Sequence, residues 1–263
     1  MQSPPVIASS TASSAVNKED IDISKFYKPS KVRGYAPTAD ALAVIRAVKR
    51  DPAWKWKSEH QMELLSVLLD NQRDIICAMG TGAGKSLPFE VLHVFEPHAA
   101  TVLYLPFRAV YLDSERKFEE AGVPFHSYSS KNSTIDTRKS LVLCSIESAE
   151  HTSLRQALSS LETQKPILRS GLDECQELLI GTSYRQSLTR AHSLRWNDSQ
   201  LFALSGSLPV QAESTIAEML AMENPVVIRS RSSRPELRLD IRPIFHDQQR
   251  YDFLLSILLS TLF

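Results

Sequence analysis

From residue 60 onward, short runs of β-branched and apolar residues alternate with longer amphipathic stretches, the pattern of βαβ units around a parallel sheet. The runs predict strands near 74–78, 101–105, 141–145, 167–172, 201–205 and 225–229. Helices are predicted between them, near 58–70, 86–95, 108–121, 151–162, 184–195 and 213–222. An earlier helix follows Thr38, a candidate N-cap, because Ala41, Leu42, Val44, Ile45 and Val48 recur at helical spacing. No internal repeat is visible. The expected fold class is α/β, with a mostly parallel sheet and helices on both faces.

Composition changes this picture mainly at the ends. Residues 1–17 hold five Ser, one Thr and two Pro with no charged side chain, too little apolar surface to offset the entropy of ordering. Residues 1–35 are therefore expected to form a disordered or flexible tail, followed by one domain over 36–243 with a basic helix at its start. The final stretch, 244–263, is apolar, and its run Phe253–Phe263 is too short to cross a bilayer. No membrane partner is expected. Three cysteines, Cys77, Cys144 and Cys175, lie far apart in apolar runs, which fits reduced thiols in a soluble intracellular protein. The 30 Lys and Arg balance the 30 Asp and Glu, so the whole chain does not advertise an acidic partner. Between Lys31 and Lys57, however, seven Lys or Arg meet two Asp, a stripe that reads as a solvated helix face or as a contact for a phosphate backbone.

Chemistry concentrates where glycine does. Three of the eight glycines, Gly80, Gly82 and Gly84, stand immediately before Lys85-Ser86, between a strand and a helix. Glycine at such a turn lets backbone N–H groups curl around phosphate oxygens, and the helix N-terminus adds its positive end. Lys85 would reach the β and γ phosphates and the Ser86 hydroxyl would ligate Mg²⁺. The strict GxxxxGK[ST] spacing is not met, since Met79 stands six before Lys85 and the first glycine comes one later. A second apolar run, Ile167–Leu172, ends on Asp173 and Glu174, the carboxylates that such a loop needs to hold Mg²⁺ and to position water.

The segments Ala78-Met-Gly-Thr-Gly-Ala-Gly-Lys-Ser86, Asp173-Glu-Cys-Gln176 and Leu204-Ser-Gly-Ser-Leu-Pro209 resemble motifs I, II and III of superfamily 2 helicases, and most closely the divergent RecQ-like type of fungi. Trp56-Lys-Ser-Glu-His-Gln61 is similar to the motif that precedes the phosphate loop. Tyr104-Leu-Pro-Phe-Arg-Ala109 and Leu143-Cys-Ser-Ile-Glu-Ser148 look like motifs that face a nucleic-acid strand. The resemblance covers roughly residues 54–242 in order and spacing. It implies the ATP-binding RecA-like domain of a DNA helicase, nuclear and acting in recombination or repair. ATP and Mg²⁺ would be its cofactors, and single-stranded or duplex DNA its partner. Gln61 would read adenine. Gly80, Thr81, Gly82, Ala83, Gly84, Lys85 and Ser86 would bind nucleotide, with Ser86 and Asp173 on the metal and Lys85, Asp173 and Glu174 in catalysis. Pro106, Arg108 and Ser145 would meet nucleic acid, and Gln176, Ser205 and Ser207 would couple the two.

Departures from the pattern set further expectations. Arg169, Ser170 and Gly171 interrupt an apolar strand that a buried parallel sheet should keep continuous, so the Mg²⁺ site is expected to be distorted. Gln176 replaces a histidine, and Glu177–Arg185 lacks an aromatic-rich loop. The arginine fingers of such enzymes come from a second RecA-like domain, for which about thirty residues after Arg234 leave no room. The apolar segment 244–263 reads as the start of that domain or as a terminal helix packed on the first. A second domain or another chain would then be needed for full activity. The alternative is a truncated or decayed helicase that binds ATP and nucleic acid with little turnover. Other P-loop NTPases or kinases leave Gln61, Pro106–Arg108 and Ser205–Ser207 unexplained. Trp54 and Trp56 either stack on a base or anchor the basic helix.

Overall fold

The computed structural model describes residues 27–30, 34–37, 39–130, 134–181 and 191–230. It opens with an antiparallel hairpin, β1 (Tyr27–Ser30) and β2 (Gly34–Pro37). The hairpin overlaps the segment expected to be a flexible tail. β2 lies against the second of two helices that follow, α1 (Ala39–Lys49) and α2 (Glu59–Asp70), so a neighbouring element supplies what its own composition does not. The expected tail over 1–26 and the segment 244–263 lie outside the described residues.

Seven further strands form one sheet: β3 (Ile75–Ala78), β4 (Ala100–Leu105), β5 (Phe125–Ser127), β6 (Leu141–Ser145), β7 (Ile167–Leu172), β8 (Gln200–Ser205) and β9 (Val226–Arg229). Their order is β5-β6-β4-β7-β8-β3-β9, and every neighbouring pair is parallel. The connecting helices are α3 (Leu87–Phe95), α4 (Arg108–Glu120), α5 (Thr152–Glu162), α6 (Glu177–Gly181) and α7 (Glu213–Met219). The fold is therefore α/β as expected. β5 has no counterpart in the apolar pattern. Of the helix expected over 184–195, residues 191–194 form a 3₁₀ turn and residues 184–190 lie outside the described set.

Period-two alternation divides the core between the two faces of the sheet. Ile75, Cys77 and Met79 pack with Leu64 and Leu68 of α2, Phe89 of α3 and Phe118 of α4. Their chain neighbours Ile76 and Ala78 pack with Leu154, Leu158 and Leu161 of α5, Leu178 of α6 and Ile216 of α7. A third cluster joins Ile45 of α1, Leu65 and Leu69 of α2, and Val91 and Phe95 of α3. Trp54 and Trp56 pack against this cluster, edge to face at 5.2 Å between ring centres, which is the anchoring alternative.

The polar interruption of β7 does not break the strand. All six residues of β7 are buried, and each unusual side chain has a partner. The Arg169 guanidinium is 0 % exposed; it donates to both Glu96 carboxylate oxygens at 2.5 and 2.7 Å and to the Leu68 carbonyl at 2.8 Å. Ser170 Oγ lies 2.8 Å from Ser199 Oγ and accepts the Trp196 N–H. Gly171 is required because a Cβ there would sit 2.2 Å from the Phe202 carbonyl oxygen. The expected distortion is thus corrected as far as β7 is concerned: satisfied polar groups replace apolar ones, and the strand pairs in register with β4 and β8 from Arg169 to Leu172.

Candidate nucleotide and nucleic-acid site

Because the strands are parallel, their carboxyl ends open onto one edge of the sheet, where ligands of such folds bind. Along that edge, following the strand order, stand Ser145 at the end of β6, Pro106 and Arg108 after β4, Asp173 to Gln176 after β7, Ser205 at the end of β8 with Ser207 beyond it, and the glycine loop after β3. All of the site residues expected from the sequence fall at this edge or on the α2 turn facing it.

The glycine loop runs from Met79, whose N–H donates to the Ser205 carbonyl, to α3. Gly82 and Gly84 adopt φ of +79° and +90°, the left-handed region that glycine enters without steric cost. Ser86 caps α3 without a side-chain hydrogen bond to the helix, and Pro88 sits in the first turn, where its missing N–H costs little. The Ser86 hydroxyl is thus uncommitted to capping. Lys85 folds back on its own loop, donating to the Met79 carbonyl at 2.6 Å and the Gly80 carbonyl at 3.4 Å.

Gln61 is buried under the loop. Its side-chain N–H donates to the Gly84 carbonyl at 3.2 Å, its carbonyl accepts the Lys57 N–H at 2.9 Å, and its backbone N–H donates to the Ser58 hydroxyl that caps α2. Both ends of the amide expected to read adenine are engaged within the chain. A Cβ at Gly84 would fall 2.0 Å from the Gln61 amide nitrogen, so the loop and Gln61 are fitted to each other.

The carboxylates stand two strands from the loop. Burial, and then the charge of Glu174, lift the Asp173 carboxyl to about 6. Asp173 accepts the Glu174 N–H at 2.9 Å, and Glu174 holds φ of +52°, a conformation that costs a residue with a Cβ about 1 kcal/mol or more. From Glu174 a chain of hydrogen bonds runs across the edge. Gln176 donates to the Glu174 carboxylate at 2.8 Å, Ser205 donates to the Gln176 carbonyl at 2.6 Å, and the Ser207 N–H donates to Ser205 Oγ at 3.0 Å. The three residues expected to couple motif II to motif III are therefore joined. Glutamine can join Glu174 to Ser205 because its amide both donates and accepts.

A cleft of about 800 Å³ gathers Thr81, Gly82, Gly84, Lys85 and Ser86 with Asp173 and Glu174. It also takes in Lys49, Lys57 and Lys117, which sequence reasoning did not assign to it. Lys49 is ion-paired with Glu90 and Lys117 with Asp113. The donor set fits a magnesium nucleotide: a hydroxyl at a helix start, a lysine on a glycine turn, and two adjacent carboxylates, one of them buried, whose mutual repulsion a cation would relieve. Among the described residues there is no cluster of three or more His, Cys, Asp or Glu placed to hold a metal ion.

Beside this cleft, a groove of about 600 Å³ is lined by Pro106, Phe107, Arg108, Ser145 and Ser148, among others. Arg108 is exposed at the start of α4, Pro106 is buried, and Ser145 Oγ lies 2.9 Å from Ser148 Oγ. The groove also takes in Ser127 to Ser130, a run of three serines and a tyrosine without a sequence signal of its own. Of the segment expected to lack an aromatic loop, residues 182–185 lie outside the described set. Among the described residues, no helix is long and apolar enough to cross a membrane.

No protein-family model matches the chain. Its fold is similar to the crystal structure of the DUF1998 helicase MrfA bound to DNA, with a TM-score of 0.55 and 11% sequence identity over 78% of this chain. At that identity the likeness shows the fold alone, a RecA-like α/β domain. The chain covers 29% of that helicase's length.

Proposed function

We propose that this chain carries the first motor domain of an ATP-dependent, RecQ-like superfamily 2 DNA helicase, with a role in nuclear recombination or repair. The observation that carries the reading is the path of hydrogen bonds Glu174–Gln176–Ser205–Ser207, which links the carboxylate pair to the turn beside the phosphate loop. Lys85 would leave the Met79 carbonyl to pair with the β and γ phosphates. Ser86 and Asp173 would hold Mg²⁺, and Glu174, steadied by Gln176, would orient a water and take its proton. The bound metal neutralises charge that develops on the transferring phosphoryl group. Arg108 and the polar groups around Ser145 would meet the phosphate backbone of a DNA strand, and Gln61 would hold the loop and face adenine.

One observation favours a second reading, an ATP- and nucleic-acid-binding module of low turnover. The described lining of the cleft holds four lysines and no arginine, so the arginine finger of phosphoryl transfer has no source there.

Calorimetric titration with Mg·ATP tests the shared core of both readings. Lys85→Ala is expected to abolish binding while the far-UV circular dichroism spectrum is unchanged. Equal affinity in the variant and the parent chain would remove the glycine loop from nucleotide binding.

A further inference from the structure

Two of the four lysines in the cleft have no carboxylate partner among the described residues. Lys49 and Lys117 are neutralised by Glu90 and Asp113. Lys85 and Lys57 instead donate to carbonyls of the glycine loop, Lys85 to Met79 and Gly80, and Lys57 to Gly82 at 3.1 Å. Lys57 is exposed and anchored at its backbone, where its N–H donates to the Gln61 carbonyl at 2.9 Å. Its flexible four-carbon stem therefore leaves a fixed point just before Ser58, the N-cap of α2, and ends on the middle of the loop. A single neutral carbonyl satisfies one of three ammonium donors and none of the charge. A phosphate oxygen at the same place would satisfy both, since charge-assisted hydrogen bonds are roughly twice as strong as neutral ones.

We propose that Lys57 is a second phosphate-contacting lysine of this site, which exchanges the Gly82 carbonyl for the polyphosphate of a bound nucleotide. The inference rests on the nucleotide reading above and deepens it. The loop would be approached by cations from both sides, Lys85 from α3 and Lys57 from the segment before α2. Because Lys57 and Gln61 share a hydrogen bond, departure of the ammonium from Gly82 leaves the Gln61 contact with Gly84 in place. The exchange therefore need not undo the fit between Gln61 and the loop.

The test compares the full chain with Lys57→Ala and Lys57→Arg by calorimetry, using Mg·ATP, Mg·ADP and adenosine as ligands. Thermal melting of each variant should match the parent, since the side chain is exposed. Lys57→Ala is expected to weaken Mg·ATP and Mg·ADP roughly tenfold, with a smaller loss at high salt. Adenosine affinity should not change, and Lys57→Arg should recover most of the loss. Affinities for Mg·ATP and Mg·ADP within twofold of the parent would overturn the proposal while leaving the nucleotide reading intact. An equal loss for adenosine would also overturn it, by showing that the lysine only props the loop. Failure of the parent chain to bind any of these ligands would overturn the nucleotide reading and the proposal together.

Discussion

At Asp173, burial and the adjacent charge of Glu174 both favour the neutral acid, and the carboxyl rises from 3.8 to about 6. The folded state then holds a proton that the unfolded chain releases, so stability declines as pH rises from about 4 to 6 and the full cost is present above 6. A shift of this size corresponds to a cost on the order of 2–3 kcal/mol at neutral pH. Asparagine keeps the acceptor for the Glu174 N–H but cannot ionise. Asp173→Asn is therefore expected to raise the melting temperature at pH 7.5 and to leave it unchanged at pH 4, while losing Mg²⁺-dependent nucleotide binding. A variant no more stable than the parent at pH 7.5 would show that Asp173 is not held under strain. Arg108 follows β4, the strand next to β7, and is exposed in the lining of the polar groove. If it pairs with a backbone phosphate, Arg108→Ala should weaken single-strand binding alike for all sequences and lower the salt slope by roughly one counterion. An unchanged slope would take the residue out of the interface. These candidate residues could be picked out in the sequence because their pattern is local: a glycine turn with a lysine, and a carboxylate pair at the end of an apolar run. Lys57 was legible only as one charge in a basic stripe, since its contact with Gly82 spans 25 residues.

Among the elements, β7 shows where a local pattern fails. Its interior carries Arg169, Ser170 and Gly171, and nothing within the strand announces that Glu96, 73 residues away, supplies the counter-charge. Glu96 caps the end of α3, the helix that follows the glycine loop, and Leu68 belongs to α2, the helix that carries Gln61. Arg169 thus ties the carboxylate strand to both helices at the opposite end of the sheet from the site. Breaking a buried pair from one side leaves an uncompensated charge and costs about 3–5 kcal/mol, whereas replacing both partners by apolar groups is often far cheaper. Arg169→Met and Glu96→Leu should each lower the urea midpoint strongly, and the double variant should lose less than either alone. Additive losses would mean that the ion pair is not the coupled unit described here. The long strands and helices were legible because fully buried parallel strands read as continuous apolar runs. β5 was not, since Phe125-His-Ser127 is three residues long, half-buried and at the sheet edge. The hairpin before α1 also escaped, as its ordering against α2 is a tertiary effect.

Across the sheet, the strand order places the polar groove and the glycine-loop cleft side by side with the carboxylates between them. β6 and β4 carry the polar groove, β8 and β3 carry the serine turn and the glycine loop, and β7 lies at the boundary. A DNA strand at the groove would therefore act on the nucleotide through β7 and the path from Glu174 to Ser207. On the proposed reading that path would position a water but would not supply the charge that stabilises phosphoryl transfer. An arginine finger is worth about 10³ to 10⁵ in rate, and the described lining of the cleft contains no arginine. Steady-state hydrolysis by the 263-residue chain should accordingly be slow, close to a Glu174→Gln blank, and stimulated little by single-stranded DNA. If a second domain or another copy of the chain provides the finger, turnover per chain should rise when that component is added or when the protein is concentrated. Robust DNA-stimulated turnover above the blank, independent of protein concentration, would show that this one domain completes the chemistry with its own residues.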